Sequence, residues 1–380
     1  MNPIDESDQP VPRYVLPYAK TQRHTDRIHR LIYHLLDVGQ VALVMWQRAL
    51  APAARGRHAA LLDMDEEAAG RFLAFVAALH DLGKASPAYQ NKYAPSPLRR
   101  DLEAAGLRLG GYSLKTMDAP HGVVSAWALE RLLPDAMGLE RRFAKKLARA
   151  VGGHHGVWPT PFATDGLSDD DAWADVRARL FADVHAVFDP PAPAVSSPAA
   201  QRNAFLTWFS GFVSVADWLG SIDQYDGEKF FPFEDAVVPT AAYAERAATQ
   251  AERALSRLGW LGWQPTGRLV TFAAMFPATP QPRPVQAAVI AAAETAAPPA
   301  LLILEAPTGI GKTEAALYLA DTWLQAGGGG LYVAMPTMAT SNQMFDRTRR
   351  FLAGRYPDDL VNLHLLHSQA AWDGLSLIHI

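Results

Sequence analysis

The stretch Ala78-Leu79-His80-Asp81-Leu82-Gly83-Lys84 sets an imidazole and a carboxylate side by side at the end of an apolar run. Phe72, Leu73, Phe75, Val76 and Leu79 recur at helical spacing, so residues 66–80 read as a buried helix that delivers His80 and Asp81 to the interior. Burying both groups is costly unless each has a partner. A metal ion is the commonest partner for such a pair, and an aspartate can bridge two ions. Taken alone, the dipeptide could equally be the polar cap of a helix end.

Its company along the chain decides the matter. His34 lies in the apolar helix Tyr33-His34-Leu35-Leu36-Asp37-Val38, and His121 follows Pro120 at a helix start. His154 and His155 close a helix at Gly152-Gly153-His154-His155-Gly156. Asp217 sits in Val213-Ser214-Val215-Ala216-Asp217-Trp218, an apolar helix where a charge needs an explanation.

At 380 residues, 49% of them hydrophobic, the chain is long enough for two domains with substantial cores. It has no cysteine, which excludes disulfides and thiolate metal sites, so any metal must be held by imidazole and carboxylate. Such ligation suits Mn, Fe, Co or Ni better than Mg. The acidic start Met1-Asn2-Pro3-Ile4-Asp5-Glu6-Ser7-Asp8 does not read as a signal peptide. The apolar stretch Val289 to Ala306 is broken by Glu294 and Pro298-Pro299, which argues against a membrane span, and a cytoplasmic protein is expected. With a net charge of −4, nucleic-acid binding must use local patches such as Arg99-Arg100, Arg141 to Lys146, or Arg347 to Arg350. Each of these also reads as a solvated helix face.

Residues 14–50 are expected as a long helix carrying His34, residues 94–120 as loop, and residues 121–133 and 139–152 as helices. The Pro-rich stretch 190–198 looks like a linker. It is kept inside the first domain because Asp217 must return to the same site. The fold class expected is mixed: an all-α domain over 1–235, a helical connector over 236–264, and an incomplete α/β phosphate-loop domain over 265–380. In the last, the apolar runs Leu301 to Leu304 and Leu331 to Met335 alternate with helices, which predicts a parallel sheet.

Glu305-Ala306-Pro307-Thr308-Gly309-Ile310-Gly311-Lys312-Thr313-Glu314 matches the phosphate-loop pattern, with Ala306 where a first glycine is usual. Gly309 and Gly311 shape the loop, backbone N–H groups converge on phosphates, Lys312 reaches the outer phosphates and Thr313 offers its hydroxyl to Mg.

Two resemblances follow from these residues. The order His, His-Asp, His, His-His, Asp resembles the HD-domain metal-dependent phosphohydrolases, and the doubled histidine their two-metal nuclease branch. The loop resembles that of superfamily 2 helicases. Pro284-Val285-Gln286 resembles their glutamine element, which would make Gln286 the reader of adenine. Ala334 to Met344 resembles their strand-end motif, which would set Thr337, Thr340 and Asn342 on a nucleic-acid backbone; Thr337 or Thr340 could equally be a plain helix cap.

An HD site in front of such a motor resembles the CRISPR-associated HD nuclease-helicases of type I interference systems. Lys20 and the pair His34 and Asp37 belong to the matching residues. The resemblance implies a RecA-like fold for the phosphate-loop domain and a nuclease that degrades single-stranded DNA. It also implies ATP with Mg in the motor, and recruitment by a guide-RNA surveillance complex (Cascade). It implies one ion on His34, His80, Asp81 and Asp217, another on Asp81, His121, His154 and His155, and Asp81 as the bridge. Lys84 would offset phosphate charge as a catalytic residue beside Asp81. No apolar strand ending in Asp-Glu follows Gln343, and Ala371 to Ile380 supply none. The expectation is therefore an N-terminal piece with a complete nuclease site, weak ATP binding and no DNA-stimulated ATP turnover. The alternatives are an HD-type nucleotide phosphohydrolase and a non-catalytic ATP-binding module with structural histidines.

Overall fold

In the computed structural model, the described residues are 11–22, 25, 27–225, 227–234, 236–261, 267–296, 300–326, 330–357, 361–363, 365 and 378–379. The acidic start 1–8, the Pro298-Pro299 pair and 371–377 with Ile380 lie outside them. The chain divides into two compact units, Met1–Arg48 with Arg55–Leu255, and Ala49–Ala54 with Ser256–Ile380.

The first unit opens with an antiparallel hairpin, β1 (Tyr18–Thr21) and β2 (Ile28–Arg30), followed directly by α1 (Leu31–Val44). A helix over 14–50 was expected, so its first half is corrected. Tyr18 exchanges hydrogen bonds with Gln90, its N–H donating to Oε1 (3.4 Å) and its carbonyl accepting from Nε2 (2.9 Å). Such tertiary pairing overrides local propensity.

Next come α2 (Pro52–Leu61), α3 (Glu66–Ala78), α4 (Pro87–Tyr93), α5 (Ser96–Ala104) and α6 (Leu114–Met117). Asp65 caps α3 by accepting from the Ala68 N–H at 2.7 Å. A tight 3-10 turn over Leu79–Lys84 then carries the His-Asp pair. The stretch 94–120, expected to be loop-rich, holds both α5 and the short α6; Pro97 sits in the first turn of α5 rather than breaking it, and α5 buries Leu98 and Leu102 one turn apart.

The unit continues with α7 (His121–Met137), α8 (Arg141–Gly152), α9 (Pro161–Thr164), α10 (Asp171–Phe188), α11 (Ala199–Gly220) and α12 (Thr240–Arg257). A short hairpin, β3 (Gln224–Tyr225) and β4 (Glu228–Lys229), lies between the last two helices. α12 belongs to the first unit, where Tyr243 donates to Asp37 Oδ1 of α1 at 3.1 Å.

Close approach is what gathers the ligand-bearing elements. A Cβ on Gly83 would strike the His121 carbonyl and the Ser125 N–H, and one on Gly122 would strike the Gly152 carbonyl. Only glycine lets the 79–84 turn, α7 and α8 converge this closely.

The second unit comprises α13 (Phe272–Met275), α14 (Pro284–Thr295), α15 (Lys312–Gln325) and α16 (Met338–Arg355), with a two-residue antiparallel pairing of β5 (Asn362–Leu363) and β6 (Ile378–His379). Buried Asp321 joins α15 to α16 through Arg355 Nε at 3.1 Å. The runs expected as parallel strands form no strand among the described residues, and Leu301 (87%), Ile303 (78%) and Tyr332 (81%) are exposed. Parallel strands are stable when neighbours satisfy their backbone and helices cover both faces. Neither condition is met in these two runs among the described residues.

Candidate metal centre

Two sets of side chains converge on Asp81. In the first set, His34, His80, Asp81 and Asp217 present ligand atoms within 4.8 Å of one another; in the second, His121, His154 and His155 do the same. Asp81 faces both. Its Oδ2 lies 3.1 Å from His34 Nε2 and 3.3 Å from His80 Nε2, while Oδ1 lies 3.3 Å from His121 Nε2 and 3.6 Å from His154 Nε2. Asp217 Oδ1 closes the first set at 3.5 Å from His34 and 3.3 Å from His80. His121 and His155 bring their Nε2 atoms to 3.0 Å at the exposed side of the cluster. All seven side chains read from the sequence as ligands are thus in one place.

The orientation of these groups is fixed from behind. His80 Nδ1 donates to the Ala77 carbonyl (3.1 Å) and His154 Nδ1 to that of Val151 (2.8 Å), so each turns its Nε2 inward. Ser221 Oγ donates to Asp217 Oδ1 at 3.0 Å, Ser214 Oγ to the His154 carbonyl at 2.5 Å, and the Gly83 N–H to Ser125 Oγ at 2.8 Å. Gln90 Nε2 also donates to the Lys84 carbonyl at 2.9 Å. None of these four supports was read from the sequence: Ser214 and Ser125 reach partners 60 and 42 positions away, and a Ser or Gln a few residues from its partner, like Ser221 or Gln90, has no distinctive local pattern.

The residues fit a cation. His80 Nε2, His154 Nε2 and Asp81 Oδ1 are buried and hydrogen-bond to nothing described, an arrangement that is expensive unless something positive sits between them. Burial holds His34 down to about 4, His121 to about 4 and His154 to about 3, so these imidazoles are neutral and ligand-ready at neutral pH. His80 goes the other way, to about 9, because Asp81 and then Asp217 outweigh its burial. A proton there supplies the charge that a bound cation would replace. Lys84 and His80 overcome the burial of Asp81 and hold its carboxyl well below the usual range, and His80 and His34 do so for Asp217. Lys84 Nζ sits 2.6 Å from Asp81 Oδ2, which keeps the ammonium charged despite burial. Burial lowers Lys20 to about 8; Asp217 and Asp81 act on it in the opposite sense.

The phosphate loop is built differently. Gly309 and Gly311 adopt φ of 80° and 91°, which favours glycine. Lys312 Nζ donates to the carbonyls of Ala306 and Pro307, and Thr313 Oγ1 lies 3.4 Å from Arg347. Gln286 braces the loop, donating to the Gly311 carbonyl at 3.1 Å while its Oε1 accepts from the Arg283 N–H. Thr337 caps α16, accepting from the Thr340 N–H at 3.3 Å, with Asn342 one turn further along that helix.

A helical domain that brings a His-Asp pair and five more imidazole or carboxylate side chains into one cluster is an HD-type domain. The chain belongs to the family of the Cas3 HD domain, which matches residues 18–225. Residues 283–371 match the DEAD/DEAH box helicase family. The CRISPR-associated endonuclease/helicase Cas3 of Thermus thermophilus is 36% identical over 353 residues, covering 90% of this chain and 36% of its own. A crystal structure of a CRISPR-associated protein aligns with a TM-score of 0.77 at 39% identity, over 90% of this chain and 38% of that one. A chain in a CRISPR RNA-guided surveillance complex in a pre-nicking state aligns at 0.62 and 28% identity, over 89% and 38%. The chain therefore spans under two fifths of the length of these relatives. Among the described residues no helix is long and apolar enough to cross a membrane.

Proposed function

We propose that the first unit is a metal-dependent nuclease that cuts single-stranded DNA in type I CRISPR interference, acting in the cytoplasm. Two divalent transition ions (Mn, Fe, Co or Ni) would polarise the phosphodiester and lower the pKa of a bound water. His34, His80, Asp81 and Asp217 would hold one, and Asp81, His121, His154 and His155 the other. The observation that carries this reading is Asp81, whose two oxygens face two separate sets of inward-turned nitrogens. Lys84 keeps a positive charge against the bridging carboxylate, where charge develops on a phosphate.

In the second unit, on a RecA-like parallel sheet, Gln286, Gly309, Gly311, Lys312 and Thr313 would hold ATP with Mg, and Thr337, Thr340 and Asn342 the strand backbone. The DEAD/DEAH match supports it. Recruitment by a guide-RNA surveillance complex is supported by the alignment with a chain of such a complex.

The test is incubation with Mn and circular single-stranded DNA. Cleavage of a substrate without ends is expected. Hydrolysis of mononucleotides alone would make the protein a nucleotide phosphohydrolase, and inertness with no bound metal would make it a non-catalytic module.

A further inference from the structure

Metal-binding histidines almost always anchor their second ring nitrogen. His80 and His154 do so on main-chain carbonyls, whereas His34 Nδ1 is buried and bonds to nothing described. One turn further along α1 lies Asp37, fully buried and outside the ligand cluster. Its carboxylate binds His29 Nε2 at 2.7 Å and accepts from the Tyr243 hydroxyl at 3.1 and 3.3 Å. Tyr33, the residue before His34, stacks on Tyr243 with centroids 4.1 Å apart and planes 9° apart. His29 has a second nitrogen, Nδ1, that is also buried and bonds to nothing described. Its ring meets that of His34 edge-on, with centroids 6.4 Å apart.

The proton positions are complementary. A carboxylate only accepts, so His29 carries its proton on Nε2 and offers Nδ1 as an acceptor. His34 turns Nε2 to Asp81 and Asp217, which leaves its proton on Nδ1 as a donor when that Nε2 binds a cation. We propose that one buried water accepts from His34 Nδ1–H and donates to His29 Nδ1, making Tyr243, Asp37 and His29 the outer hydrogen-bonded shell that positions His34. Buried waters are characteristically held between otherwise unsatisfied polar groups of this kind. The three are positioning residues, acting on one ion of the pair through His34, and the inference rests on the two-ion reading above.

The test is Mn titration of Asp37→Asn and Tyr243→Phe, following free Mn by electron paramagnetic resonance, with metal-free thermal melts alongside. Both substitutions keep the side chain's size, and Tyr243→Phe removes only the hydroxyl. The expected result is a cooperative melt in each variant, one ion weakened about 10–100-fold and the other unchanged. A purely structural role would weaken both ions together or only lower the melting temperature. That result, or wild-type binding of both ions in the folded variants, overturns the proposal. If Asp37→Asn does not fold, Tyr243→Phe decides. Wild-type protein that takes up no Mn would instead sink the metal reading itself.

Discussion

In the first unit every candidate ligand hangs from a packed helix or a tight turn, and four of the seven, His80, Asp81, His154 and Asp217, are also held by a hydrogen bond or ion pair with a residue outside the cluster. In the second unit the phosphate loop follows an apolar run that forms no strand among the described residues, and Lys312 is turned onto the loop's own carbonyls. The difference follows from what each site is made of. Imidazole and carboxylate ligands must be desolvated together, so they exist only where a core has already formed. A phosphate loop is mostly backbone N–H groups, which a short local sequence can supply, but its aim depends on the strand beneath it.

The sharpest way to break this contrast is to cross the two sites. Asp81→Ala should remove or halve the bound metal, read by mass spectrometry, and abolish cleavage of circular single-stranded DNA, because it takes the one group both ligand sets share. Binding of a fluorescent ATP analogue should be untouched. Lys312→Ala should do the reverse, removing analogue binding and leaving metal content as in wild type. Metal loss in Lys312→Ala would mean that the two sites are not independent.

What was legible in the sequence follows the same division. The candidate ligands showed themselves because polar residues on apolar helices are anomalous, and the Pro-rich 190–198 stretch, kept with the first domain on account of Asp217, lies in the first compact unit. The hairpin before α1 did not, since Tyr18 is held by Gln90 from seventy-two positions away. Asp37 was noted beside His34, yet its actual partners, His29 and Tyr243, come from the hairpin and from α12. The phosphate loop was read at once from its spacing, while the strands around it were inferred from apolar runs alone. An apolar run states a demand for burial and does not supply the neighbour that meets it.

Proton release sharpens the comparison further. His80 holds its proton up to about 9 without metal and must lose it to become a ligand, so metal uptake at pH 7–8.5 should release one proton. Apparent affinity should then rise up to about tenfold per pH unit and level off near 9. His34, His121 and His154, at about 4, 4 and 3, are already neutral and add no slope there. An ordinary imidazole would level off near 6.5. A flat affinity between pH 7 and 8.5, measured by calorimetry in two buffers of different ionisation enthalpy, would refute the raised value.

The smallest effects come from two glycines, one in each unit. Gly122→Ala drives a methyl into the Gly152 carbonyl, where α7 and α8 cannot part without moving His121 and His154, so it should cost about 1–3 kcal/mol and weaken metal binding. Gly354, near the end of α16, has nothing within 4 Å of its added Cβ. There alanine only removes backbone freedom from the unfolded chain, and the gain should be at most about 1 kcal/mol. Hydrogen exchange of α16 amides reads this locally, with protection rising up to about fivefold. Faster exchange in Gly354→Ala would show that the open face of α16 is covered by contacts this structure does not describe.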